Sequence, residues 1–301
     1  MVVFHDPDCV NYHRAGDPER PARIAKTEPF LKERHPAWKW SKPSPATDQQ
    51  LLRAHTVEHL RRVAHPEGDF DVDTPAHENI DTFARSAAGA AIAAAQAAIK
   101  GEKAFSLMRP PGHHATRDRA MGFCYFSNIA VGALDALTVA GGGDAGPGST
   151  IPATKNINKV AIWDFDAHHG NGTEDIVRDK QQIAFASIHQ SPGYPGTGLQ
   201  SFDRIYNFPV PPYTARETHM QQCEKALDLL LEFRPELLLV SAGFDAYVDD
   251  PITQMTLALD DFGKLGQRLA KLDIPTACIL EGGYSDELPQ LIDVFLSEWS
   301  R

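Results

Sequence analysis

Five short runs in this chain, at 105–108, 160–165, 183–188, 237–241 and 277–280, are almost wholly apolar. A strand with one wet face alternates apolar and polar residues. A run apolar throughout fits a strand covered on both faces, as in the middle of a parallel sheet. Between the runs lie helix candidates at 83–100, 128–139, 214–233, 260–272 and 286–299, the first rich in alanine and stopped by Gly101. This alternation predicts an α/β fold with a mostly parallel sheet flanked by helices. The chain of 301 residues exceeds the usual domain size, but α/β folds of this length often form one unit, so residues 1–301 are expected to be a single domain. The Gly-, Pro-, Ser- and Thr-rich stretch 140–158 reads as a surface excursion between a helix and a strand rather than a linker.

Composition narrows the functional classes. Hydrophobic residues make up 42% and charged residues 23%, which is enough apolar material for a large core without a disulfide or structural metal. The formal net charge of −11 disfavours binding to nucleic acid and suits a cationic partner, such as a lysine-rich tail or a polyamine. Cys9, Cys124, Cys223 and Cys278 are scattered with no C-x-x-C pair, as expected of reduced, packed thiols in a cytoplasmic protein. The N-terminus lacks the basic-then-apolar pattern of a secretory signal, and no apolar run has the length to cross a bilayer.

The chemically capable residues gather where the apolar runs end. In parallel α/β sheets ligands bind beyond the carboxyl ends of the strands, so the segments 109–115, 164–172, 189–198, 244–251 and 281–284 can converge on one site. Asp166 and His168 are two apart, and on an extended segment they would face the same way. With Asp245 they make an Asp, His, Asp set of the kind that holds a catalytic zinc with one position open for water. His113 and His114 suit acid–base work near neutrality. Each needs an orienting partner on its far nitrogen: Asp164 can serve His113 and Asn171 can serve His114. An Asn partner leaves an imidazole neutral more easily, which favours His114 as general base. Tyr284, after Gly282 and Gly283, is placed to donate to a developing oxyanion.

The stretches RPPGHHA (109–115), GFCYFSN (122–128), DFDAHHGNGT (164–173), SPGYPGTG (191–198), SAGFDAYVDDP (241–251) and LEGGY (280–284) together resemble the histone deacetylase superfamily, most closely its class II branch. The resemblance implies an arginase-related α/β domain with an eight-stranded parallel sheet. It implies one zinc on Asp166, His168 and Asp245, with His114 as general base and then acid. His113 would assist electrostatically, and Tyr284 would polarise the substrate carbonyl. It also implies a structural potassium ion held by Asp164, by the Ser187 side chain and by backbone oxygens of Asp166, His168 and Ile188. Phe123 and Tyr194 match the aromatic walls of an acyl-lysine tunnel, and Gly122 its floor. Asp73 matches a rim aspartate that holds substrate backbone, and Arg23 an arginine near an inner channel.

The expected reaction is removal of acetyl or other acyl groups from Nε-acyl-lysine in proteins or peptides. The alternative is deacetylation of small acetylated polyamines. One polyamine-specific branch carries a glutamate where this chain has Ile252, and no long insertion precedes Arg109; both features lean towards lysine. A non-catalytic acyl-lysine binding module would be expected to lack a ligand or the tyrosine. A binuclear manganese ureohydrolase would need an acid two residues after His168, where Gly170 stands.

Overall fold

The computed structural model describes residues 1–139 and 156–301, so most of the Gly-rich 140–158 stretch lies outside the described residues. In chain order the elements are β1 (Val2–Phe4), α1 (Ala22–Arg34), β2 (Lys39–Ser41), α2 (Asp48–Leu51), α3 (Val57–Ala64), α4 (Ile80–Ile99), β3 (Ala104–Ser106) and α5 (Asn128–Val139). There follow β4 (Val160–Asp164), α6 (Asn171–Val177), β5 (Ile183–Gln190), β6 (Ile205–Val210), α7 (Arg216–Glu232), β7 (Leu237–Ala242), α8 (Leu259–Ala270), β8 (Thr276–Leu280) and α9 (Leu288–Ser300). Among the described residues eight strands form one sheet in the order β2-β1-β3-β8-β7-β4-β5-β6. All seven pairings are parallel.

The five apolar runs are the five central strands, and every residue of β4, β5, β7 and β8 is buried. Alternation of side chains divides each strand between two cores. Ala161, Trp163, Leu238, Val240 and Cys278 pack on one face with Leu265, Phe295 and Trp299 of α8 and α9. Val160, Ile162, Leu237, Leu239 and Ile279 pack on the other face with the alanines of α4 and with Ile129 and Val131 of α5.

The strands outside the predicted set are β1, β2 and β6, which are short or peripheral. In β2 the outer residues are exposed, and in β6 burial alternates around Pro209. Proline is tolerated there because a sheet edge leaves one side of the strand unpaired.

Register sets up the site. Asp164 of β4 pairs with Ser187 of β5 on one side and with Ser241 of β7 on the other, and Ala242 of β7 pairs with Leu280 of β8. These strands therefore end abreast, and the residues that follow them leave the sheet at one edge.

Candidate active site

The metal-ligand candidates are aimed by backbone hydrogen bonds. After β4 the chain bends instead of continuing extended, so Asp166 and His168 are not brought together by strand alternation. A nested turn does it: the N–H of Asp166 donates to Asp164 Oδ1 (3.1 Å) and the N–H of His168 to Asp166 Oδ1 (2.9 Å). The N–H of Ala167 donates to Asp245 Oδ1 (2.7 Å) and that of Gly282 to Asp166 Oδ2 (2.7 Å). One donor atom from each of Asp166, His168 and Asp245 lies within 4.8 Å of the others. His168 Nδ1 is 2.8 Å from Asp245 Oδ2 and 3.2 Å from Asp166 Oδ1.

Two glycines make this crowding possible. A Cβ on Gly243 would sit 2.0 Å from Asp166 Oδ2, and one on Gly282 would sit 2.4 Å from Asp245 Oδ2 and 2.6 Å from Asp166 Oδ2.

The electrostatics are those of a site with surplus negative charge. Burial, then the charge of Asp166, pushes the Asp245 carboxyl up. Burial also disfavours ionised Asp166, but His113 and His168 outweigh it and hold that carboxyl below its usual range. Burial opposes protonation of His168, yet Asp245 and Asp166 draw its imidazole well above its ordinary value. Two buried carboxylates around an imidazole whose facing nitrogen attracts a proton form a donor set that fits a divalent cation; such a cation takes the proton's place.

The two histidines of the 109–115 loop are set apart by their partners. His113 Nδ1 lies 3.1 Å from Asp164 Oδ2, and its Nε2 is 3.7 Å from Asp166 Oδ1. Burial works against its charge, but Asp166 and Asp164 prevail and raise its pKa to about 10, which favours the imidazolium. His114 Nδ1 lies 2.8 Å from Asn171 Oδ1. The amide of Asn171 donates to the carbonyl of His114 (3.3 Å) and meets Met121 Sδ (3.4 Å), so its Oδ1 is the acceptor that faces the ring. His114 Nδ1 therefore carries the hydrogen, and Nε2 is left with a free lone pair. Burial first, then the charges of His113 and His168, hold His114 well below its ordinary pKa.

A cavity of about 340 Å³ opens above these groups, with His114, His168 and Tyr284 in its lining. Asp73, Gly122, Phe123, Tyr194 and Ile252, the predicted tunnel residues, also line it, as does Pro18. The Tyr194 ring meets His114 edge-on at 5.1 Å, and Phe123 lies 5.9 Å from Tyr284. Gly122 has φ +57°, and a Cβ there would meet His114 Cδ2 at 2.6 Å. Burial, then the neighbouring Asp71, raises the Asp73 carboxyl; among the described residues neither acid has an ion-pair partner. Tyr284 is buried, which keeps its phenol neutral and a donor. The predicted cation ligands Asp164 and Ser187 sit at paired positions on adjacent strands, followed by Ile188.

Arg23 does more than sit near an inner channel. Its guanidinium donates to the carbonyls of Gly283 (2.7 Å) and Glu281 (2.5 Å) and lies 4.8 Å over the Tyr284 ring. The same α1 region presents Glu19, which accepts from Arg23 (3.1 Å) and from Arg109 Nε (2.6 Å) and Nη2 (2.7 Å). Asp250 accepts the N–H of Tyr284 at 2.8 Å, and Glu281 accepts the N–H groups of Gly112 and His113. Sequence reasoning did not single out Glu19, Asp250 or Glu281 as site residues. For Glu281 and Asp250 the available signal is an acid within two or three residues of Tyr284 and Ile252, which are already assigned to the site.

Comparison with known proteins agrees with this geometry. The histone deacetylase domain model matches residues 17–298. A probable deacetylase of Archaeoglobus fulgidus is 32% identical over 308 residues, covering 95% of this chain and 81% of that protein. An acetylpolyamine amidohydrolase of Burkholderia pseudomallei is 32% identical over 278 residues, covering 86% and 75%. The crystal structure of the HDA15 HD domain superposes with a TM-score of 0.86 at 28% identity, covering 100% of this chain and 91% of that one. With the fold, the site and the domain match in agreement, this chain belongs to the histone deacetylase family of amidohydrolases.

Proposed function

We propose that residues 1–301 form one zinc-dependent catalytic domain that removes acetyl or related acyl groups from Nε-acyl-lysine in proteins or peptides, in a cytoplasmic setting. One observation carries this reading: a cavity lined by Phe123 and Tyr194 also reaches His168 of the Asp166, His168 and Asp245 cluster, together with His114 and Tyr284. Apolar walls with a polar end suit a neutral methylene chain capped by an amide.

Asp166, His168 and Asp245 would hold the metal, which when bound supplies Lewis acidity to a carbonyl and acidifies water. His114 is neutral with a bare Nε2, so it takes a proton from the attacking water and later passes it to the leaving amine. His113, kept cationic by Asp164 and Asp166, supplies positive charge as negative charge develops on the substrate. Tyr284 donates to the substrate oxygen, and Arg23 steadies its loop. Asp164, Ser187 and the backbone of Asp166, His168 and Ile188 would hold a potassium ion that stiffens the base of the site. Asp73 on the rim is placed to accept from substrate N–H groups.

The second reading, an acetylpolyamine amidohydrolase, draws on the Burkholderia relative of that name and on the acidic rim of Asp71 and Asp73. Kinetics with metal-defined protein separate the two. A higher kcat/KM on N-acetylputrescine or acetylspermidine than on acetyl-lysine peptides overturns the lysine assignment.

A further inference from the structure

Glu281 follows β8 and is fully buried, yet among the described residues its carboxylate hydrogen-bonds to no metal-ligand candidate. Its Oε2 accepts two converging main-chain N–H groups, from Gly112 (2.7 Å) and His113 (3.1 Å). Ser241 Oγ is 3.4 Å from Oε1. Its own N–H donates to the carbonyl of Ala242 (3.0 Å), and its carbonyl accepts from Arg23. One residue thus ties the 109–115 loop to the end of β7, to α1 and to the loop that carries Tyr284. Burying a carboxylate is costly, and a fold needing only a packed side chain here would place an apolar one. The carboxylate meets two backbone donors that would otherwise be buried without partners.

We propose that Glu281 is a positioning residue: through the N–H groups of Gly112 and His113 it fixes where the imidazoles of His113 and His114 stand relative to Tyr284. The inference rests on the deacetylase reading of the site. Placement errors on the scale of an ångström matter there, because proton transfer and oxyanion donation must meet at one substrate amide.

Two variants that keep an oxygen acceptor on this side chain test it. Glu281→Gln retains an oxygen at the same reach and loses the charge. Glu281→Asp keeps the charge and withdraws the acceptor by one methylene. Positioning predicts that Glu281→Gln keeps kcat within about threefold of wild type. It predicts that Glu281→Asp loses about tenfold or more in kcat, with KM and metal content held. In metal-free protein the imidazole proton resonances of His113 and His114 should move in Glu281→Asp and stay in Glu281→Gln. The reverse ranking would make charge the function of this side chain, and equal, near-normal kcat in both variants would leave it no part in catalysis; either result overturns the proposal. So would losses in both that track reduced metal content. Wild-type protein inactive on every acyl-amine tried would instead refute the deacetylase reading itself.

Discussion

His114 Nδ1 lies 2.8 Å from the amide oxygen of Asn171, while the adjacent His113 faces the carboxylate of Asp164 at 3.1 Å. Two neighbouring imidazoles thus receive opposite instructions, one to stay neutral and one to stay charged. Asn171→Asp removes the difference. A carboxylate there favours the imidazolium, so the pKa of His114 rises by about one unit or more. The base must be neutral to act, so the acid limb of the kcat/KM profile should move to higher pH. Activity should be lost most at low pH and regained as pH rises. A pH–rate profile that superimposes on the wild-type curve would remove His114 from the role of base.

Tyr284→Phe deletes a hydroxyl at the cavity end and leaves the metal-ligand candidates in place. The expected loss is about 100- to 1000-fold in kcat, with the metal still bound. Turnover paired with metal quantitation checks it.

Metal removal should cost both activity and stability. The candidate ligands place two buried acids around one imidazole, a strained arrangement without a cation. Free zinc at about 100-fold above its Kd would add about 2.7 kcal/mol to the folded state. A chelated sample should therefore melt lower and recover its melting temperature and turnover together on addition of one equivalent of zinc. Two tightly bound transition metals per chain would contradict the one-metal scheme.

Ile252 lines the cavity beside His168 and Tyr284, so a carboxylate in its place would add negative charge to the lining. Ile252→Glu should shift the ratio of kcat/KM values towards acetylspermidine and away from acetyl-lysine peptides. A partly exposed ion pair is worth up to about 1 kcal/mol, so the shift should be no more than about fivefold and should fade with added salt.

Acid should weaken the fold before most carboxylates titrate. Burial, then the neighbouring His59, depresses His55 to about 3, and burial depresses His219 to about 4. Their unfolded value is about 6.5. Above that pH both states are neutral and the histidines contribute no slope. As pH falls below it, the unfolded chain takes up protons that the folded chain refuses. Stability then drops by about 1.4 kcal/mol per pH unit per histidine until the folded values are reached. Urea melts at about pH 7 and about pH 5 measure this, and His219→Leu should flatten the slope.

Much of the fold is legible in the chain because parallel strands buried on both faces read as unbroken apolar runs, as 160–165 and 237–241 do. The peripheral β1 and β2 are only three residues each, too short to carry a period. In β6, Pro209 interrupts an otherwise strand-like sequence. The candidate ligand and base residues stand out because chemistry demands particular residue types at strand ends, and the structure brings them to one cavity. Their spatial cause was less so: Asp166 and His168 meet on a bend rather than a strand. The supporting carboxylates are illegible in the sequence for a different reason. Glu281 grips backbone N–H groups of Gly112 and His113, and a contact with main chain leaves no trace in the identity of its partner.

Gly243 and Gly282 stand so close to the carboxylates of Asp166 and Asp245 that even one methyl group has no room. A substitution survey across this chain should therefore find alanine at either glycine about as damaging as loss of Asp166 or Asp245, although neither glycine carries a side chain of its own. What these two positions contribute is empty space, and a redesign meant to suit an ion of another size or geometry must negotiate with that space before it touches the side chains that surround it.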